Sequence, residues 1–259
     1  MMKKIIFYSI TFIFISFQSC LSSPIKSNNP SAPVDHKIWN ELLRKYVSAD
    51  GSVDYKGLKK EKSKLDSYLK LLSNSNIKGQ SKNEQLAYWI NAYNAFTVDL
   101  IVSNYPVKSI KDIRNAKSLV AKATGGSQVW LENLRYDFNG EELSLYNIEN
   151  RKLLKELFDP RIHFAINCAS YSCPRLWNQA YTAGNVQDAM NKMAVDFIND
   201  KRKNKISKQK AELSEIFKWY KGDFTRSGTL IDFINKYSKV KLSSNADIDY
   251  IPYNWNLNE

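Results

Sequence analysis

The chain has 259 residues, 43% of them hydrophobic, with six Trp, fifteen Tyr and twelve Phe. That is material for one sizeable globular domain, or at most two small ones. The formal net charge is +12, a balance that can signal nucleic acid. Yet the densest basic run, Lys201 to Lys210, has neither a Gly-aromatic RNA-binding pattern nor zinc-finger spacing. It reads as a solvated loop, with contact to anionic lipid or wall polymer as the alternative, and no nucleic-acid partner is expected.

The first residues stand apart. A positive "MMKK" precedes Ile5 to Phe17, thirteen residues without a charge. This run is short for a bilayer span and suits the apolar part of a signal peptide over residues 1–19. Loss of that segment would remove Lys3 and Lys4 and lower the net charge by two. Cys20 follows Ser19 and looks like the cysteine of a bacterial lipobox, although Phe17 and Gln18 are not its usual residues. A diacylglycerol on Cys20 would hold the chain stably to a membrane. Leu21 to Asp35, rich in Ser, Asn and Pro, reads as a flexible tether, so residues 20–35 join lipid to a single globular domain over 36–259. The expected location is the bacterial cell envelope, lipid-anchored and facing the periplasm or exterior.

Along the domain, Ile38, Leu42, Leu43 and Tyr46 recur at helical spacing, and a turn at Ala49-Asp50-Gly51 ends that helix. Leu65, Tyr68, Leu69 and Leu72 mark a second amphipathic helix. A third, capped by Asn83 with Glu84 in its first turn, is apolar nearly all round from Leu86 to Val102, which places it at the centre of the fold. It carries Asn91 and Asn94 on one face, and buried amides there must grip a loop or a ligand. The Asn139-Gly140 pair predicts a hairpin. A helix follows from Asn147 to Phe158, ended at Pro160. Residues 161–167 read as a short buried strand, Val186 to Asp200 as a helix, Ser214 as the cap of a helix running to Gly222, and Thr229 to Val240 as another. The chain closes on the extended, aromatic "DIDYIPYNWNLNE". Helices dominate, so the class is α+β, with a small antiparallel sheet and a buried central helix at about 84–102.

The stretch Arg161 to Trp177, "RIHFAINCASYSCPRLW", holds one of two histidines and two of three cysteines. On a strand, His163, Ala165 and Asn167 share one face while Phe164, Ile166 and Cys168 share the other. A Cys-His nucleophile pair is then more natural through Cys173, which lies beyond a turn. A Cys168–Cys173 disulfide is the alternative for an exported chain. Metal binding is disfavoured, because Cys-x4-Cys with one His supplies three ligands at an unusual spacing. His163 also reads as a core histidine bonded to a backbone carbonyl. Asn91 and Asn94 either hold neighbouring turns together, or orient His163 and donate to an oxyanion. Glu149 and Glu84 suit the helix dipole, with acid–base work as the alternative.

Four stretches in order, "NEQLAYWINAYNAFTV", "LSLYNIENRKLLKELFDPRIHFAINCASYSCPRLWNQAY", "LSEIFKWYKGDF" and "YNWNLN", resemble the domain of unknown function 547 family. Its Asn-Cys-(Gly or Ala)-x-x-Ser-Cys-Pro segment corresponds to Asn167 to Pro174, and its Trp-Ile-Asn-x-Tyr-Asn helix to Trp89 to Asn94. The resemblance implies a fold and a set of motif residues but no activity, and it agrees with export and lipid anchoring. A buried helix followed by a His-bearing strand also resembles papain-like and transglutaminase-like hydrolases, although the helix here offers no Cys at its start.

Two readings follow. In one, the chain is a lipid-anchored binding or structural module built around His163, Cys168 and Cys173, with Asn94, Glu149, Arg161 and Asn167 shaping a site for a peptide, glycan or protein. In the other, it is a thiol-dependent hydrolase or acyltransferase, with Cys173 or Cys168 as nucleophile, His163 as base, and Asn91 or Glu84 in support. No cofactor or metal is implied by either. A sulfur within hydrogen-bond reach of His163 in an open cleft favours the enzyme.

Overall fold

A computed structural model describes residues 32–113 and 134–259. The signal segment, Cys20 and most of the tether lie outside the described residues, as do residues 128–133 before the hairpin.

Helix α1 (Lys37–Tyr46) buries Trp39, Leu42 and Leu43, and the Trp39 ring stacks on Tyr68, centroids 5.8 Å apart. A short α2 (Tyr55–Lys60) leads to α3 (Lys62–Asn74), which buries the four residues its spacing predicts, Leu65, Tyr68, Leu69 and Leu72. Helices α2 and α3 pack on α4 (Lys82–Asn104), in which every residue from Leu86 to Val102 is buried except Asp99. So uniform a burial follows from the all-round apolar sequence. The helix starts two residues earlier than expected: Ser81, not Asn83, is the cap, its hydroxyl accepting from the Glu84 N–H at 3.2 Å. A serine hydroxyl outside the turn caps as well as an asparagine, so two nearby candidates cannot be ranked by residue type.

The hairpin forms as expected. Strands β1 (Tyr136–Phe138) and β2 (Glu141–Leu143) pair antiparallel around Asn139 and Gly140, both left-handed at φ 54° and 87°, the geometry that favours Asn-Gly. Its Phe138 packs against Trp89, centroids 5.2 Å apart. Ser144 and Asn147 form a capping box for α5, which begins at Leu145–Asn147 and continues as a wider π-helical stretch, Ile148–Glu156.

The segment expected as a strand at 161–167 is instead a helical turn, α6 (Ile162–Ala165). Asp159 nucleates it: its side chain accepts from the Arg161 N–H at 2.9 Å and its carbonyl from the Ile162 N–H at 3.0 Å. Ile162, His163, Phe164 and Ala165 are all buried, so the run carries no polar alternation, and a short apolar run fits a buried strand and a buried helix equally. Helix α7 (Val186–Asn199) packs beside α6 and α4.

The remaining sheet is mixed rather than antiparallel. Strand β3 (Lys205–Ile206) runs antiparallel to β4 (Lys210–Ser214), and β4 runs parallel to β5 (Asp247–Ile251). A parallel neighbour needs a long crossover, here supplied by α8 (Ile216–Trp219), α9 (Lys221–Phe224) and α10 (Leu230–Tyr237). Ser214 therefore ends a strand, and the helix expected after it is broken in two. The basic run is also not a free loop: it forms the β3–β4 hairpin, and Lys203 is buried. After β5 the chain crosses the protein as an extended strap.

Candidate functional site

The two buried amides of α4 set the site, each by holding a backbone segment at both its polar atoms. Asn91 donates to the Tyr181 carbonyl at 2.7 Å and accepts from the Tyr181 N–H at 3.0 Å. Asn94 donates to the Ala165 carbonyl at 3.0 Å and accepts from the Asn167 N–H at 2.8 Å. One face of one helix thus fixes the approach to Trp177–Tyr181 and the exit from α6. Asn91 lies on the Tyr181 backbone and not on the His163 ring.

Asn167 continues the scaffold. Its amide donates to the Pro174 carbonyl at 2.7 Å, and its side-chain oxygen accepts from the Ala169 N–H at 2.8 Å. Ala169 sits at φ 60°, a left-handed conformation that costs a non-glycine residue about 1–2 kcal/mol. The strap helps hold it there. The Asn258 N–H donates to the Ala169 carbonyl at 3.2 Å, and the Tyr171 and Ser172 N–H groups donate to Asn256 and Asn254 at 2.6 and 3.1 Å.

This loop brings Cys168 and Cys173 together, with sulfurs 2.9 Å apart and both thiols free. Cys168 is partly exposed and Cys173 is buried. The hydrogen bond from Cys173, helped by Ser170 and Tyr253, pulls the Cys168 thiol down to about 7. Burial, and then that same bond, pushes Cys173 the other way.

Both sulfurs line a cavity of about 430 Å³ that also receives His163, Glu149, Tyr220, Tyr253, Trp219 and Trp255. The helical turn at 162–165 is what allows this, since strand alternation would have set His163 and Cys168 on opposite faces. His163 packs on Tyr220 with the rings tilted, centroids 4.0 Å apart, and its Nε2 lies 3.0 Å from the Asp223 carboxylate. Arg226 donates to the other Asp223 oxygen at 2.8 Å. His163 first, and then Arg226, hold the Asp223 carboxyl below the usual range. Neither sulfur hydrogen-bonds to the ring. Glu149 accepts from Tyr220 at 2.8 Å and from Tyr93 at 3.2 Å, and burial pushes its carboxyl above the usual range against the pull of His163 and those hydroxyls.

The other sequence candidates lie elsewhere. Glu84 lines a separate cavity with His36 and Asn185. Arg161 pairs with Asp159 at 2.5 Å and reaches Gln187 and Asn191 on α7, so it fastens α6 to that helix. Among the described residues no group of three or more His, Cys, Asp and Glu side chains is arranged to hold a metal ion. Residue-by-residue reading missed Asp223, Tyr220, Tyr253 and the two tryptophans. Their signal was a chain end rich in aromatic residues, in "FKWYKGDF" and "YNWN".

The rim of the cavity is a platform of three rings. Trp219 and Tyr253 have centroids 4.9 Å apart, Tyr253 and Trp255 4.6 Å, and Trp219 and Trp255 6.0 Å. Trp219 remains 45% exposed, a large apolar surface left uncovered beside a pocket.

Comparison with known proteins gives one match. A search of curated proteins and a search of solved structures found nothing similar. Residues 77–198 match the model of a family described as "Protein of unknown function, DUF547". That span contains α4, Glu149, His163 and both thiols, and stops before Trp219, Asp223 and Tyr253. By that match, residues 77–198 are a DUF547 family segment.

Proposed function

We propose that this chain is a cell-envelope lipoprotein, anchored through Cys20, whose aromatic cleft binds an exposed peptide segment of a partner. One observation carries the binding reading. The cleft joins a partly exposed three-ring platform to a floor whose acid–base groups are already engaged, His163 by Asp223 and Glu149 by two tyrosines. Aromatic side chains with a polar edge supply contact area at low entropic cost and are favoured where chains meet. A glycan or a folded protein face is the alternative occupant.

Immobilised peptide and glycan arrays, probed with the full chain, test this. Binding to peptides should fall at least about tenfold, a loss of about 1.4 kcal/mol, in the Trp219→Ala, Trp255→Ala double variant. Signals on glycans alone, or equal signals from both proteins, reject the peptide reading. For the anchor, radiolabelled palmitate should mark the wild type in the membrane fraction and leave the Cys20→Ala variant unlabelled.

A second reading, a thiol-dependent hydrolase or acyltransferase, is favoured by the lowered Cys168 thiol. It requires ester hydrolysis that disappears both in Cys168→Ser and in His163→Gln.

A further inference from the structure

The two sulfurs are placed unequally. Cys168 faces the cleft, and Ser170 Oγ and Tyr253 OH each stand 3.4 Å from its Sγ. Cys173 is buried, accepts the Cys168 N–H at 3.1 Å, and backs onto a second, small cavity shared with Lys203. Cys173, Ser170 and Tyr253 can each donate to a thiolate at Cys168, while burial opposes charge on Cys173. The loop between them is fixed at Asn167, at Ala169 and by the strap, and within it the two sulfurs stand 2.9 Å apart.

We propose that Cys168 and Cys173 form a dithiol–disulfide exchange site, with Cys168 attacking and Cys173 resolving, that acts on a peptide disulfide. The choice of a peptide rests on the cleft reading above; the sulfur chemistry does not. The Cys168 thiolate attacks one sulfur of the substrate disulfide and breaks the S–S bond. The departing sulfur takes a proton from solvent, and a mixed disulfide remains on Cys168. Cys173 then loses its proton and attacks Cys168 Sγ, forming the Cys168–Cys173 bond. The second substrate sulfur leaves and takes up that proton. The protein dithiol is oxidised by two electrons and the substrate disulfide is reduced to two thiols; the reverse runs over the same atoms. An attacking thiol that titrates near ambient pH is close to the optimum for this reaction, since a lower value sacrifices nucleophilicity and a higher one thiolate.

The test uses the full chain with Cys20→Ser, so that only these two thiols remain, and glutathione disulfide as the probe. The expected product is an intramolecular disulfide with no accumulated mixed disulfide. Adding Cys173→Ser should trap glutathione on Cys168, and adding Cys168→Ser should slow reaction at Cys173 by at least about tenfold. Limiting iodoacetamide on the unsubstituted pair needs no further variant to fold, and peptide mapping must find its label on Cys168. A mixed disulfide that persists with both thiols present, or label divided equally between them, overturns the proposal. Failure of the cleft reading is told apart by the arrays. Peptide binding with inert thiols removes the exchange, whereas brisk exchange without any peptide binding removes the cleft's role and leaves the sulfur chemistry standing.

Discussion

Asn94→Ala is the sharpest perturbation of the site, because one amide holds two backbone groups just before the thiol loop. In the variant the Ala165 carbonyl and the Asn167 N–H lose partners at 3.0 and 2.8 Å in a buried position. A buried backbone group left unpaired costs about 1–3 kcal/mol, so the pair costs about 4 kcal/mol, out of a total stability of about 5–15 kcal/mol. Asn91→Ala is the matched control. It also deletes one donor and one acceptor bond to buried backbone, but at Tyr181. Urea unfolding should give similar losses for both. Iodoacetamide labelling against pH should separate them. Asn91→Ala keeps the Cys168 midpoint at about 7, while Asn94→Ala, with the loop released, moves it toward the unperturbed ~8.5. Identical labelling profiles, or a loss below about 1 kcal/mol for Asn94→Ala, would refute the claim that this amide sets the sulfur geometry.

Two further outcomes concern buried titrating groups. Burial lowers His36 to about 4, against a weaker opposing pull from Asp35. A histidine depressed in the fold stabilises above its unfolded value and loses that stability as pH falls through the folded one. From pH 6.5 to 4 the wild type should therefore lose about 3 kcal/mol relative to His36→Gln, measured by urea midpoints; parallel curves contradict this. Glu149 is shifted upward by burial, so the folded state binds the extra proton and stability declines as pH rises above the ordinary carboxylate value. Glu149→Gln keeps a similar shape beside Tyr220 and Tyr93, and its stability should gain on the wild type between pH 5 and 8; a constant gap between the two proteins rules the shift out.

The helices were legible because their apolar residues repeat at a helical period, and α3 lies on the residues its pattern marks. The hairpin was legible because two left-handed residues in a row select Asn-Gly. Residues 161–167 were not legible, because a run buried on every side loses the polar half of its pattern. That misreading had a chemical consequence. It separated His163 from Cys168 on paper, where the helical turn brings both to one cavity. The partner of His163 was equally hidden: Asp223 is 60 positions away, and no local spacing connects them.

The cleft spans two parts of the chain with different claims on its chemistry. The family segment supplies Glu149, His163 and both sulfurs. Residues beyond it supply the groups that tune them: Asp223 on His163, Tyr220 on Glu149 and Tyr253 on Cys168. The strap beyond β5 joins the two, since it takes hydrogen bonds from Tyr171 and Ser172, donates to Ala169, and presents Tyr253 and Trp255 at the rim. Loss of the strap would therefore free the thiol loop and strip the aromatic platform in one step. The sulfur state and the binding surface are for this reason coupled, and a ligand that seats on Trp255 has a direct path to the loop that holds Cys168 against Cys173.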